Sequence, residues 1–344
     1  MEGSESMIDS SDVRKLNTHL IRSVMWKGGE HTKQSVSLDT GLSPATCNTL
    51  LNELERSGEI LSSKRQLNGV GRSTSVYHMN EKYESILCIR IDVESNGSRV
   101  IWCDVLSMLG TQLYQEQQRY VRLDAAFIVA KVSDFLMKFP NISCMLVGTS
   151  GIVDHGVIRM SDIPELEGIH LLNMIKEKVH DLPIHMTYDC QYRVYGAYKK
   201  FGYTQETLTL LFCMKNILPG TASVVNGMII SGKNGFAGMT GYLPYDIDQE
   251  EQIKLIAGDP SGLSLIAKAA ISVIAVLNPD EIIFAGNVID ETAMGEIRRQ
   301  CGEKIPMDFM PDFRIAEDGG DSYYLEGMYQ KALEMKANLL EYGA

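Results

Sequence analysis

The chain has 344 residues, 44% of them hydrophobic and 22% charged, with a formal net charge of −12. That length allows two or three cores, and the composition is that of an ordinary globular protein. The opening MEGSESMIDSSD is polar and acidic, unlike a signal or transit peptide, and the longest apolar stretch, AAISVIAVL, is too short to span a bilayer. Seven scattered cysteines, an odd number without a CxxC, argue against a disulfide framework and predict reduced thiols in a cytoplasmic protein.

DVRKLNTHLIRSVMWKGG places Val13, Leu16, Leu20, Ile21 and Val24 at helical spacing and stops at Gly28-Gly29. TKQSVSLDTG predicts a second short helix, capped by Thr32 and ended by Gly41. GLSPATCNTLLNELERSGEI predicts a third, with Ser43 as N-cap, Pro44 at the first helical position and Gly58 at the stop. Its buried stripe is Cys47, Leu50, Leu51 and Leu54; Ala45, Asn48, Thr49, Asn52 and Arg56 face away, with Thr46 at the exposed first turn. Taken alone, this is an ordinary amphipathic helix. Its neighbours supply the order of a helix-turn-helix, and EILSSKRQLNGVGRSTSVYHMN adds a hairpin, the wing.

Residues 11–80 carry nine Lys/Arg against six acids, so this segment is electrostatically distinct from an acidic remainder. The expected partner is double-stranded operator DNA. Ser43, Pro44, Ala45, Thr46, Asn48 and Thr49 would face the major groove, and Lys64, Arg65 and Arg72 would meet phosphate or minor groove. A small winged helix also serves as a protein-binding module; the basic wing and the Thr/Asn face favour DNA.

From residue 84 the texture changes. SILCIRIDV, SRVIWCDVL and TQLYQEQQRYV predict a three-strand meander, followed by a helix over 124–139 and a buried strand ISCMLVGTS. A helix near 168–180, a strand PIHMTYD and a helix over 190–200 come next. TLTLLFCM, TASVVNG and MIIS then repeat the meander. A helix over 261–277, the strand EIIFAGN, a helix near 291–304, the strand DFRIA and a helix from 322 complete the chain. The acid run Asp246, Asp248, Glu250 and Glu251 reads as a solvated loop. Two meanders with alternating helices and strands predict two α/β lobes around a cleft, with ligands near the strand ends.

The order of these segments resembles the ROK family (repressors, open reading frames and sugar kinases) of the actin-like ATPase superfamily, over nearly the whole chain. The similarity rests on GLSPATCNTLLNELERSGEI, GTSGIVDHGVIRMSDIPELEGIHL, LNPDEIIFAGNVI and FRIAEDGGDSYYLEGMYQKAL. It implies an α/β fold: a winged helix-turn-helix over 1–80, a first lobe over 81–190 and a second over 191–344. The C-terminal helix is expected to pack back on the first lobe.

At the functional positions the chain departs from the family. Where ROK kinases hold ATP with D-x-G-G-T, this chain has Asp92, Val93, Glu94, Ser95 and Asn96, and the second phosphate turn is NILPGTAS. A phosphate cradle needs close backbone approach, which glycine permits. The N-D-A-N motif becomes TYDCQ: Asp189 matches the family's catalytic Asp beside Tyr188 and Gln191, and it reads equally as the cap of the following helix. Asp162 aligns with a sugar-contacting Asn. Met239 and Tyr242 replace the Glu and His of A-G-E-x-G-H. Between Gln191 and Cys301 there is no His and one Cys, so the family's zinc site is not expected.

The resemblance therefore predicts a dimeric ROK-type regulator, a repressor. No catalytic set, metal or cofactor is expected. Its effector cleft, degenerate or re-tuned for a sugar or sugar derivative, draws on Asp162, Tyr188, Asp189, Met239 and Tyr242. The rival is a divergent sugar kinase with a DNA-binding head.

Overall fold

The computed structural model describes residues 10–65, 73–179, 181–258 and 261–342. The amino-terminal part comprises α1 (Ser10–Met25), β1 (His31–Thr32), α2 (Lys33–Thr40), α3 (Pro44–Ser57), β2 (Ile60–Arg65) and β3 (Thr74–Met79). Thr32 caps α2 in a reciprocal box with Ser35, and Gly41 ends it at φ 71°. Ser43 Oγ accepts from Thr46 N to cap α3, with Pro44 at its first position. β2 and β3 pair antiparallel from Ile60–Met79 to Arg65–Thr74, and the two-residue β1 pairs with β3. The tip of this hairpin, with Arg72, lies outside the described residues.

The remainder builds two five-stranded sheets. The first contains β4 (Ser85–Val93), β5 (Arg99–Ser107), β6 (Gln112–Tyr120), β7 (Ile142–Thr149) and, after the small hairpin β8 (Ile152–Asp154) and β9 (Val157–Arg159), β10 (Ile184–Tyr188). α4 (Ala125–Lys138) and α5 (Leu171–Lys176) belong to the same stretch. α6 (Asp189–Lys200) leads to β11 (Leu208–Cys213), β12 (Gly220–Val225) and β13 (Met228–Ile229). α7 (Gln249–Gly258), α8 (Gly262–Leu277), β14 (Glu281–Gly286), α9 (Glu291–Gly302), β15 (Asp312–Ile315) and α10 (Asp321–Tyr342) follow.

The sheet orders are β10-β7-β4-β5-β6 and β13-β12-β11-β14-β15. Each is an antiparallel meander with two parallel strands added beside its first strand. Parallel strands buried on both faces read as continuous apolar runs, as in Ile86–Ile89 and Met145–Val147.

Two sequence expectations need correction. The helix near 168–180 is only α5, because the chain from Pro164 to Leu166 takes a 3-10 turn and Gly168 has φ 75°. The acid run is not all loop: Asp248 accepts from Glu251 N at 2.8 Å, and Glu250 and Glu251 occupy the first turn of α7, where carboxylates oppose the helix dipole favourably.

One apolar cluster joins the amino-terminal part to the first sheet. Ile21, Met25, Leu51 and Ile60 share it with Ile86, Cys88, Leu146, Met328 and Ala332. α10 therefore lies under α1, against β4 and β7, and along α6. Arg22 makes a bidentate pair with Glu59 at 2.6 and 2.7 Å on the rim of this cluster.

Candidate functional site

A cavity of about 540 Å³ opens between the sheets at the ends of β4, β7, β10, β11 and β14. Asp92, Ser150, Asp162, Tyr188, Asp189, Arg193 and Asp321 line it. Asp189 opens α6, and one helical turn places Arg193 over the cavity. Asp321 stands in the first turn of α10.

Arg193 is the centre of the site. Its side chain is 3% exposed. Its Nε donates to Asp189 Oδ2 at 3.2 Å and its Nη1 to Asp321 Oδ1 at 2.9 Å, while Nη2 lies 3.9 Å from Asp92 Oδ2. The guanidinium also lies 4.6 Å from the Phe212 ring and 4.5 Å from that of Tyr324. Burial alone would lower its pKa; Asp189, Asp92 and Asp321 more than reverse that, so it stays charged. Asp92 is pushed up to about 7 by burial, with Arg193 opposing. Burial also raises Asp189. Asp162 faces the cleft water, yet protein walls it closely; desolvation, then Asp189 and Asp92, push it up to about 7.

Tyr188 is held by a close approach. A Cβ on Gly220 would sit 2.1 Å from the Tyr188 hydroxyl, so glycine is required there for Tyr188 to fit. The ring thus fills space beside the start of β12.

The first of the two turns that would cradle phosphate is closed on itself. Glu94 N donates to Ser98 O at 2.9 Å, Gly97 N to Glu94 O at 2.8 Å and Ser98 N to Asn96 Oδ1 at 2.8 Å. Glu94 is drawn aside by Arg119, with contacts of 2.7–3.0 Å. On the opposite side Lys215 N donates to Asn287 Oδ1 at 3.0 Å, and Asn216 Nδ2 crosses to Ser95 O at 2.7 Å.

The five effector positions expected from sequence do not converge. Asp162, Tyr188 and Asp189 share the cleft. Met239 and Tyr242 instead line a second, apolar pocket of about 390 Å³ with Phe236, Val273 and Val276. Tyr242 packs on Phe236, ring centres 5.3 Å apart, and Gly238 at φ 93° turns the chain toward β12 through Thr221 N–Gly238 O, 2.8 Å. Asp189 lacks the capping role weighed for it, since Tyr188 is the N-cap and Asp189 Oδ2 accepts from Arg193. Arg193, Asp321 and Ser150 were not singled out from sequence; the Asp189–Arg193 spacing was the available signal for the first.

On the amino-terminal part, Ser43, Pro44, Ala45, Asn48 and Thr49 are exposed along α3, with Thr46 half-buried. Asn48 Oδ1 accepts from Lys33 Nζ. Lys64 and Arg65 are exposed on β2, and Arg65 pairs with Glu30 at 2.5 Å.

No protein-family profile matches the chain. The xylose repressor of Bacillus spizizenii is 19% identical over 250 residues, which covers 70% of this chain and 63% of the repressor, somewhat under two thirds of its length. A ROK family transcriptional regulator, a homologue of the E. coli MLC protein, superposes with a TM-score of 0.65 over 95% of this chain and 99% of its own, at 14% identity. The fold is that of the ROK family. A ROK hexokinase from Thermus thermophilus superposes on 73% of this chain and 99% of its own, with a TM-score of 0.55 at 16% identity. This fold is thus shared with a regulator and a kinase, and the regulator extends the overlap. Among the described residues no group of three or more His, Cys, Asp or Glu could hold a metal ion, and no single helix is long and apolar enough to cross a membrane.

Proposed function

We propose that this chain is a DNA-binding transcriptional regulator of the ROK type, a dimeric repressor whose cleft takes a sugar-like effector and does not transfer phosphate. The observation that carries this is Arg193, a charged guanidinium held by Asp189 and Asp321 in the middle of the cleft. With it go the first turn, bonded to itself, and Asn216, bonded across to Ser95, at the two places where a kinase holds a nucleotide's phosphates.

In this reading residues 1–80 form a winged helix-turn-helix, 81–190 the first lobe and 191–344 the second. The exposed amino end of α3 enters the major groove, and Lys64 and Arg65 lie beside the backbone. A dimer would read two half-sites about one helical turn apart. Asp162, Tyr188 and Asp189 belong to the effector cleft, whereas Met239 and Tyr242, in their own pocket, are left out of it. The test is selection of bound duplexes from random DNA, followed by titration at several salt concentrations. An enriched palindrome with steep salt dependence supports the reading; no enrichment overturns it.

The kinase reading keeps one observation in its favour, a buried Asp189 at the first turn of α6. Mg–ATP decides between them: a kinase's unfolding midpoint rises with saturating nucleotide, and the proposed regulator's does not.

A further inference from the structure

We propose that the cleft selects a cationic polyol, a sugar bearing a free amine, whose ammonium group seats against Asp162. This rests on the effector role proposed above and adds the charge class of the ligand.

The cleft wall presents the carboxylates of Asp92, Glu94, Asp162, Asp189, Asp318 and Asp321 and one guanidinium; Arg119 engages Glu94, and Gly320 N and Ser322 N donate to Asp318. Arg193 is committed to Asp189 and Asp321 and lies within ion-pair range of Asp92. Asp162 is the carboxylate left over: among the described residues none donates to it, and the charges that act on it are the carboxylates of Asp189 and Asp92. Ser150 stands beside it, accepting from Asp162 N through its carbonyl at 3.1 Å. Ser150 is 8% exposed, and its hydroxyl has no partner. A buried hydroxyl without a partner, on the wall next to an uncompensated carboxylate, is half of an unmade hydrogen-bond network. Trp102, half-buried on the same wall, offers an aromatic surface for the C–H face of a ring.

The chemistry that completes this set is narrow. A divalent cation needs several oxygen ligands converging on one point, and no such group exists among the described residues. A phosphate ester would meet six carboxylates, with the one guanidinium already engaged. A neutral sugar brings Asp162 no cation. An ammonium needs one carboxylate and a hydroxyl or two, and its charge-assisted bond is roughly twice as strong as a neutral one.

Calorimetric titration of the full chain at neutral pH with glucosamine, galactosamine and mannosamine, each beside its neutral hexose and hexose 6-phosphate, tests this. At least one amine-bearing sugar is expected to bind about tenfold or more tighter than its neutral counterpart. D162N should abolish that preference, and S150A should weaken amine-bearing and neutral sugars alike. Unfolding midpoints that are not lowered in either variant exclude misfolding. Equal or tighter binding of the neutral sugar, binding of a phosphate ester, a preference that survives D162N, or silence across the panel at millimolar concentration overturns the inference. Duplex binding measured in parallel separates the two readings. Lost DNA binding with the amine preference intact defeats the regulator and keeps the ligand class; intact DNA binding without the preference does the reverse.

Discussion

Arg193 Nη1 donates to Asp321 Oδ1 at 2.9 Å, so the second turn of α6 and the first turn of α10, 128 residues apart, are tied through one guanidinium. The partners are unequal. Asp189 is 4% exposed at its side chain, and Asp321 is 62% exposed. R193M leaves Asp189 buried without a cation and is expected to cost about 3–5 kcal/mol. D321N removes a water-exposed partner and should cost at most about 1 kcal/mol. Urea unfolding of both variants, with D189N/R193M as the double variant that recovers part of the loss, checks the asymmetry.

Asp92 and Asp162 are both held at about 7 in the folded cleft, above the ordinary aspartate value of about 4. The folded state then binds more protons than the unfolded one across that window. Their contribution to stability is highest below about pH 4 and is lost as the pH rises through about 7. D162N, which cannot ionise, should gain stability relative to the parent as pH increases from 4 to 7 and hold the gain above it. Thermal midpoints of the pair across that range are the measurement; a constant difference would contradict the assignment.

Gly220 is the residue that admits Tyr188. G220A drives a methyl group against the tyrosine hydroxyl and should destabilise the fold by about 1–3 kcal/mol, the range for overpacking. Y188F in the same chain removes the clashing oxygen and should restore most of the loss. If the double variant is no better than G220A, another contact sets the requirement for glycine.

On the proposed DNA face, Lys64 and Asn48 separate two kinds of contact. K64A should weaken all duplexes alike and lower the salt slope by about one. N48A should cost about 1–3 kcal/mol on the selected site and relax its sequence preference. Anisotropy titrations on selected and scrambled duplexes distinguish them, and identical profiles for the two variants would show that neither contact has the assigned character.

Much of the fold was legible because its signals are local. The caps at Thr32 and Ser43, the stripe from Cys47 to Leu54 and the paired meanders follow from residue spacing alone. α7 was missed because its acidic first turn reads as loop until Ile253 and Ile256 are given a shared face. The site was less legible. Asp189 and Arg193 at i and i+4 look like a solvent-exposed helix pair, and only the fold buries them. Met239 and Tyr242 were assigned by motif position, whereas the turn at Gly238 sends both to another pocket.

The position of α10 carries a mechanical consequence. Asp321 stands at the cleft, while Met328 and Ala332 lie in the apolar floor beneath Ile21 and Met25. At 1.5 Å per residue, the eleven steps from Asp321 to Ala332 span about 17 Å of continuous helix. A rod of three turns is stiff along its axis and cannot absorb strain by shortening. A ligand that displaces the first turn of α10, and not merely the exposed Asp321 side chain, would carry that shift to the floor under α1.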